Sequence, residues 1–183
     1  MSNRKTPNIV IEKISLDRVG DLHEAILESG NEWFEEEMIP APELSMDELE
    51  YATRELLELW EKDEFYTFHI LETSTKQILG FAFLNHVSRQ YQMANLGYSV
   101  RTSRVGEGIA TEAAKLVARY GFEQLGLQRI EIIARKENAA SLRVAEKLGA
   151  VREGLLRNRV QYHGASCDVY MHSLIPSDFG HTA

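Results

Sequence analysis

The chain has 183 residues, of which 44% are hydrophobic and 26% charged, and its net charge is −8. That length fits one domain, residues 1–183, with a hydrophobic core of its own, and that charge argues against nonspecific nucleic-acid binding, which needs a basic face. One cysteine, Cys167, excludes an internal disulfide and a cysteine-built zinc cage, and no apolar run reaches the roughly 20 residues of a membrane span. The opening residues carry no long apolar stretch either, so the expectation is a cytoplasmic protein with no membrane partner and no metal.

In chain order, Asn8 to Ser15 is short and β-branched and reads as a first strand. Asp17 to Met38 follows with Val19, Leu22, Ile26 and Leu27 at helical spacing, until "IPAPE" breaks the pattern. Ser45 and Glu48 form a capping-box pair, and the helix behind them places Leu49, Ala52, Leu56, Leu59 and Trp60 on one side. Phe65–Glu72, Ile78–Val87 and Met93–Val100 read as three strands of an antiparallel meander. Ile109, Ala113, Leu116, Val117 and Tyr120 then mark one buried helix face. Arg129 to Ala134 is a strand, and Leu142, Ala145 and Leu148 face inward on a second helix that ends at Gly149. Val151–Leu156 and Asp168–Leu174 are the last strands, turned at "YHGAS". The fold class is therefore α+β, a mixed α/β arrangement: antiparallel first, then strand–helix–strand, then antiparallel again.

The stretch "RVGEGIATEA", Arg104 to Ala113, joins a strand to a helix through two glycines. The first N–H groups of such a helix have no partner within it and lie at the positive end of its dipole. Gly106 and Gly108 would let an anion approach that backbone closely, which is a phosphate-binding arrangement. A tight turn that binds nothing is the competing reading. A P-loop is excluded because no GK[ST] follows, and a dinucleotide fingerprint fits poorly because the third glycine is missing.

"GEGIATEA", then "LGLQRIEIIARKENAASLRVAEKLGAVREGLLR", then "GASCDVYMHSL" resemble the GNAT acetyltransferases, and within them the RimJ/RimL-like N-acetyltransferases that act on ribosomal proteins. The resemblance runs from about Gly80 to Leu174, and "GNEWF" extends it more weakly upstream. It implies a central, mostly antiparallel sheet of about seven strands with a splay between the fourth and fifth, flanked by about four helices. It also implies transfer of an acetyl group from acetyl-CoA to an amine. In that family the signature loop is Q/R-x-x-G-x-G/A; here Gly108 and Ala110 hold the small positions, Val105 replaces the usual Gln or Arg, and Arg104 is one residue early.

Carried onto this chain, the resemblance implies that Arg104, Val105, Gly106, Glu107, Gly108, Ile109, Ala110 and Thr111 cradle the pyrophosphate of CoA. Tyr98 and Val100 belong to the strand that would hold the pantetheine arm, and Asn138 would bond the arm from the next loop. Ser141 would stand near the sulfur and protonate the departing thiolate, while the N–H of Val100 would receive the oxyanion. Asn and Ser at a helix start are also common caps, so the residues alone leave both readings open. Asn95 stands where the family often carries a glutamate base; it cannot take a proton at neutral pH but could orient the amine or a water. An α-amino group, with an ordinary pKa of about 8 against about 10.4 for lysine, manages better without that base.

Trp33, Phe34, His86, Tyr162 and His163 are the candidates for the acceptor pocket, each with a plain structural alternative, and His69 reads as structural. Thirteen acidic residues between Glu32 and Glu64, opposed by Arg54 and Lys62 alone, would form a negative wall if that segment borders the pocket, and otherwise a solvated face. Three functions follow: an acetyltransferase for a protein N-terminal α-amine, such as that of a basic ribosomal protein; the same chemistry on a polyamine, amino acid or aminoglycoside; or a CoA-binding module without catalysis. A homodimer is common among similar enzymes.

Overall fold

The computed structural model describes residues 6–29 and 45–180. Seven strands form one sheet: β1 (Ile9–Lys13), β2 (Tyr66–Glu72), β3 (Ile78–Ser88), β4 (Met93–Val100), β5 (Arg129–Arg135), β6 (Val151–Tyr162) and β7 (Ala165–Leu174). They lie in the order β1-β2-β3-β4-β5-β7-β6. Among the described residues β4 and β5 run parallel, and every other neighbouring pair is antiparallel. The helices are α1 (Val19–Ser29), α2 (Met46–Glu61), α3 (Ile109–Glu123) and α4 (Ala139–Lys147). This is the mixed α/β architecture anticipated from the order of elements.

α3 crosses from β4 to β5, and its small residues let it lie close on the sheet. Ile109, Ala113, Ala114, Val117, Ala118 and Phe122 are buried against Ile70, Leu84, Leu96, Ile130 and Ile132. α1 covers part of the other face, where Val19, Ala25 and Ile26 meet Leu49, Leu71 and Ile78. The capping box of α2 forms as its residues require: the Ser45 hydroxyl accepts from the Glu48 N–H at 3.2 Å, and the Glu48 carboxylate accepts from the Ser45 N–H at 2.8 Å. Gly149, at φ 78, ends α4 in the left-handed conformation.

Two boundaries differ from the sequence reading. α1 begins at Val19 behind a short 3-10 turn at Leu16–Arg18, and the portion expected as far as Met38 lies, beyond Ser29, outside the described residues. β6 and β7 run much further than expected, closing on a two-residue turn at His163 and Gly164, both with positive φ (48 and 75). Most of β6 is exposed on both faces, so no hydrophobic alternation marks its outer half. No helix among the described residues is long and apolar enough to cross a membrane.

His69 is a core residue of β2, fully buried, and its Nε2 accepts from the Ser15 N–H at 3.4 Å. Burial, with the Arg18 charge second, pushes its pKa down to about 4, against the weaker opposite pull of Asp17 and Asp21. The folded state thus binds fewer protons than the unfolded chain between the ordinary value of 6.5 and about 4. Stability should fall as pH drops through that window, by an amount on the order of 3 kcal/mol, and level off below it. Denaturant titrations at stepped pH should show the slope largely removed in His69→Gln; an equal slope in the variant would assign the acid sensitivity elsewhere.

Candidate active site

The site starts from a failure of strand pairing. β4 and β5 pair only at Met93↔Arg129, Ala94↔Ile130 and Asn95↔Glu131. Beyond Asn95, β4 stays with β3 as far as Val100↔Gly80, and β5 stays with β7 as far as Arg135↔Val169. The two strands therefore part, and one edge of Leu96–Val100 has no strand beside it. The Arg101 N–H donates to the Leu79 carbonyl at 2.8 Å on the β3 side. By the alternation of strand backbones, the N–H groups of Tyr98 and Val100 then face the open side.

A cleft of about 760 Å³ occupies the gap. Of the residues anticipated from sequence, Asn95, Tyr98, Val100, Arg104, Val105, Gly106, Gly108, Ile109, Ala110, Thr111, Asn138, Ser141, His86 and Tyr162 all line it. At one end is the N-terminus of α3, where Gly108 is the N-cap at φ 82 and no side chain caps the helix. Arg143 and Lys147, one turn apart on α4, line the cleft too, and Lys147 shares a second hollow with Gly108 and Thr111. Helix dipole and two cations make an anion cradle. In the middle, the Tyr98 and Ser141 hydroxyls lie 3.0 Å apart. Asn138 lines the cleft and is also a cap, its side-chain oxygen accepting from the Ser141 N–H at 3.0 Å.

At the other end, Asn95 Nδ2 donates to Asn85 Oδ1 at 2.9 Å, while Asn95 Oδ1 is buried with no hydrogen-bond partner among the described residues. Phe65 and Phe83 stack beside them at 5.3 Å. Gly97 is what admits the Phe83 ring: a Cβ there would stand 2.1 Å from it. His86 sits at an irregularity of β3 with φ 51 and is exposed on the rim.

The phosphate loop is anchored from behind. Arg101 is buried at 2% exposure; its Nε donates to the Ile78 carbonyl at 2.6 Å and its guanidinium pairs with Glu28 at the end of α1. Ser103 also donates to Glu28, and the Thr102 N–H donates to the Ser29 hydroxyl at 3.3 Å. The Ser103 hydroxyl, with the Arg101 guanidinium adding to it against partial burial, holds the Glu28 carboxyl below its ordinary pKa.

Several expectations are corrected. Glu107 does not line the cleft; it is buried and bonded to Arg104 at 2.9 Å. Arg104 lines the cleft, but its charge is committed to Glu107 and to Glu72 at 3.0 Å, so it is no loose phosphate ligand. Gly106 has open space where a side chain would point, as an approaching anion requires, whereas a Cβ on Gly108 would stand 2.6 Å from the Thr6 hydroxyl. Gly108 is thus demanded by its left-handed φ and by Thr6, so a substitution there tests the loop and not the ligand. His163 lies outside the cleft, its ring 4.2 Å from that of Tyr162 at the hairpin turn. Trp33 and Phe34 lie outside the described residues. The described part of the acidic segment is α2 and its flanks, and apart from the neighbouring Phe65 none of it lines the cleft.

Sequence reading missed Arg143 and Lys147, and it missed the contact between Tyr98 and Ser141. The two cations stand four apart on a helix, a visible spacing, but nothing in the chain says that this helix faces the glycine loop. Tyr98 and Ser141 are 43 positions apart, and only the fold brings them together. Among the described residues no group of three or more His, Cys, Asp or Glu could hold a metal ion.

A parted β4/β5 pair with an uncapped helix aimed at the gap defines a GNAT-type ligand site, and the comparison with family models agrees: the chain belongs to the Acetyltransferase (GNAT) domain family, matched over residues 8–151. It is 40% identical over 111 residues to the "Probable N-acetyltransferase YjcK" of Bacillus subtilis, covering 60% of this chain and 61% of that protein. It is 29% identical over 112 residues to spermidine N(1)-acetyltransferase of Escherichia coli K12, covering 57% and 60% respectively. The match spans about three fifths of the length of the curated relatives. The solved structure of RimL, a ribosomal L7/L12 α-N-protein acetyltransferase in complex with coenzyme A, superimposes with a TM-score of 0.82 at 20% identity, covering 94% of this chain and 96% of that one.

Two outcomes follow from this geometry. Reversing charge in Lys147→Glu should weaken CoA binding by about tenfold or more, with the deficit shrinking as salt rises, since a screened point charge is what is lost; calorimetry at two salt concentrations checks it. Arg101→Leu leaves the Ile78 carbonyl and Glu28 without their charged donor and should cost about 2–3 kcal/mol of stability. Denaturant unfolding measures that cost, and a loss below about 0.5 kcal/mol would mean the anchor is idle.

Proposed function

We propose that this protein transfers the acetyl group of acetyl-CoA to a primary amine, the α-amine at a protein N-terminus. The observation that carries this reading is the continuous cleft through the parted sheet, with an anion cradle at one end and the Tyr98–Ser141 hydroxyl pair in its middle. The cosubstrate supplies an activated acyl thioester, so the protein has little covalent chemistry of its own to do.

The N-terminus of α3, with Arg143 and Lys147, holds the pyrophosphate. The open edge of β4 bonds the pantetheine arm, standing in for the missing strand. The N–H of Val100 points into the gap, where it donates to the oxyanion of the tetrahedral intermediate. Asn95, which lines the cleft, orients the attacking amine or a water through its side-chain amide. The amine sheds its proton to water, because no Asp or Glu lines the cleft among the described residues. As the carbon–sulfur bond breaks, the Tyr98–Ser141 pair delivers a proton to the leaving sulfur.

An α-amine suits a site that, among the described residues, has no carboxylate base, since at neutral pH it is already partly deprotonated. RimL, named for α-N-protein acetylation, shares the fold. The spermidine acetyltransferase relative keeps a small amine as the second reading. Thiol release from acetyl-CoA in the presence of amines tests the transfer itself, and its absence with every amine would leave a CoA-binding module. In that assay Ser141→Ala should lower kcat by about 10²-fold with little change in the KM for acetyl-CoA. Tyr98→Phe combined with Ser141→Ala should be little worse than either alone, as expected of residues acting as a unit. A kcat within about threefold of wild type in the double variant would hand the proton to water.

A further inference from the structure

In a chain of net charge −8, the cleft is lined by Arg104, Arg135, Arg143, Lys147 and Arg159 and, among the described residues, by no Asp or Glu. Arg104 is committed to its two carboxylates, and Arg143 and Lys147 stand with the α3 N-terminus. Arg135 and Arg159 enter instead from the strands beyond the gap.

Arg159 is placed there by a break in β6. The ladder to β7 stops at Leu156↔Val169 and resumes at Val160↔Cys167, so Arg157, Asn158 and Arg159 stand opposite Asp168 alone. Asn158 takes a left-handed φ of 51, and its N–H donates to the Asp168 carboxylate at 3.0 Å, which pins the irregularity. Such bulges re-aim side chains beside active sites. After this one, Arg159, Val160, Gln161 and Tyr162 all reach the cleft. The Arg135 guanidinium lies 3.3 Å from the centroid of the Tyr162 ring, flat against the same wall. Arg159 has neither a carboxylate nor a hydrogen-bond partner among the described residues, although it is bulge-positioned and faces a cavity.

We infer that Arg159 is a specificity-determining residue that pairs with a carboxylate carried close to the reacting amine, so that the preferred acceptor has an acidic residue just after its free α-amine and a polycation is rejected. This rests on the acetyl-transfer reading and deepens it. Like charges facing each other across a binding site discriminate strongly, and among the described residues the cleft offers no carboxylate to the distal ammonium groups of a polyamine.

The test titrates three probes into the protein, with and without saturating CoA: Ser-Asp-Asp-Ala amide, Ser-Lys-Lys-Ala amide and spermidine. Reading binding by calorimetry keeps it independent of turnover. Wild type should bind the acidic peptide about tenfold or more tightly than the basic one, with spermidine weakest. Arg159→Gln should narrow that ratio to about threefold and Arg159→Glu should reverse it, while CoA affinity stays within about twofold in both. A free aspartate amide separates the source of the carboxylate: binding as tight as that of the acidic peptide would make the acceptor an amino acid. Wild type preferring the basic peptide, or an unchanged ratio in Arg159→Glu, would overturn the inference. Failure of acetyl transfer to every amine would overturn only the proposed function, since the peptide preference is read without it.

Discussion

Three paired residues hold β4 to β5, and everything functional depends on their being so few. Parallel strands that stayed in register past Asn95 would fill each other's hydrogen bonds and leave no room between them. Here β3 keeps β4 and β7 keeps β5, each along its whole useful length, so neither strand gives up its other partner when the two separate. The open backbone edge is thus held rigid from the far side. A ligand that lies along it meets donors and acceptors already fixed in place, which lowers the ordering cost of binding.

The glycine loop shares that rigidity by a different route. Buried Arg101 ties the start of the loop to the β3 end of the sheet and to α1, while Arg104 is gripped between Glu72 and Glu107. Both charges are taken up within the protein, where they order the backbone of the loop. The charge pattern of the molecule follows the same division. The described acidic residues of α2 and its flanks lie away from the cleft, several paired locally as Arg54–Glu50, Arg89–Asp63 and Lys13–Glu61. Five cations and, among the described residues, no Asp or Glu line the cleft, so an acidic protein presents a positive field there.

Much of this was legible in the chain. Helical and strand patterning located each described strand and α-helix, though not the short 3-10 turns, because α3 and the meander carry clear apolar faces. The capping box at Ser45 and Glu48 and the left-handed end at Gly149 are local signals and formed as read. The loop, Tyr98, Asn138 and Ser141 were placed by motif, and one cleft gathers them. What escaped depends on contacts without a sequence period. The outer half of β6 is exposed on both faces and gives no alternation. Glu107 sits among loop residues that line the cleft, yet its side chain turns toward Arg104 because burying a carboxylate demands a cation. The acidic run was visible as composition, but which way its helix faces is decided by Leu49 and Thr53 packing inward.

The contact between Thr6 and Gly108 has a practical side. Thr6, Pro7, Asn8 and Ile9, just ahead of and opening the edge strand, share a hollow with Gly108, Thr111 and Lys147. The segment from Thr6 to Ile9 therefore lies beside the glycine loop and the N-terminus of α3. An affinity tag or fusion partner joined ahead of Thr6 would be tethered beside that helix end.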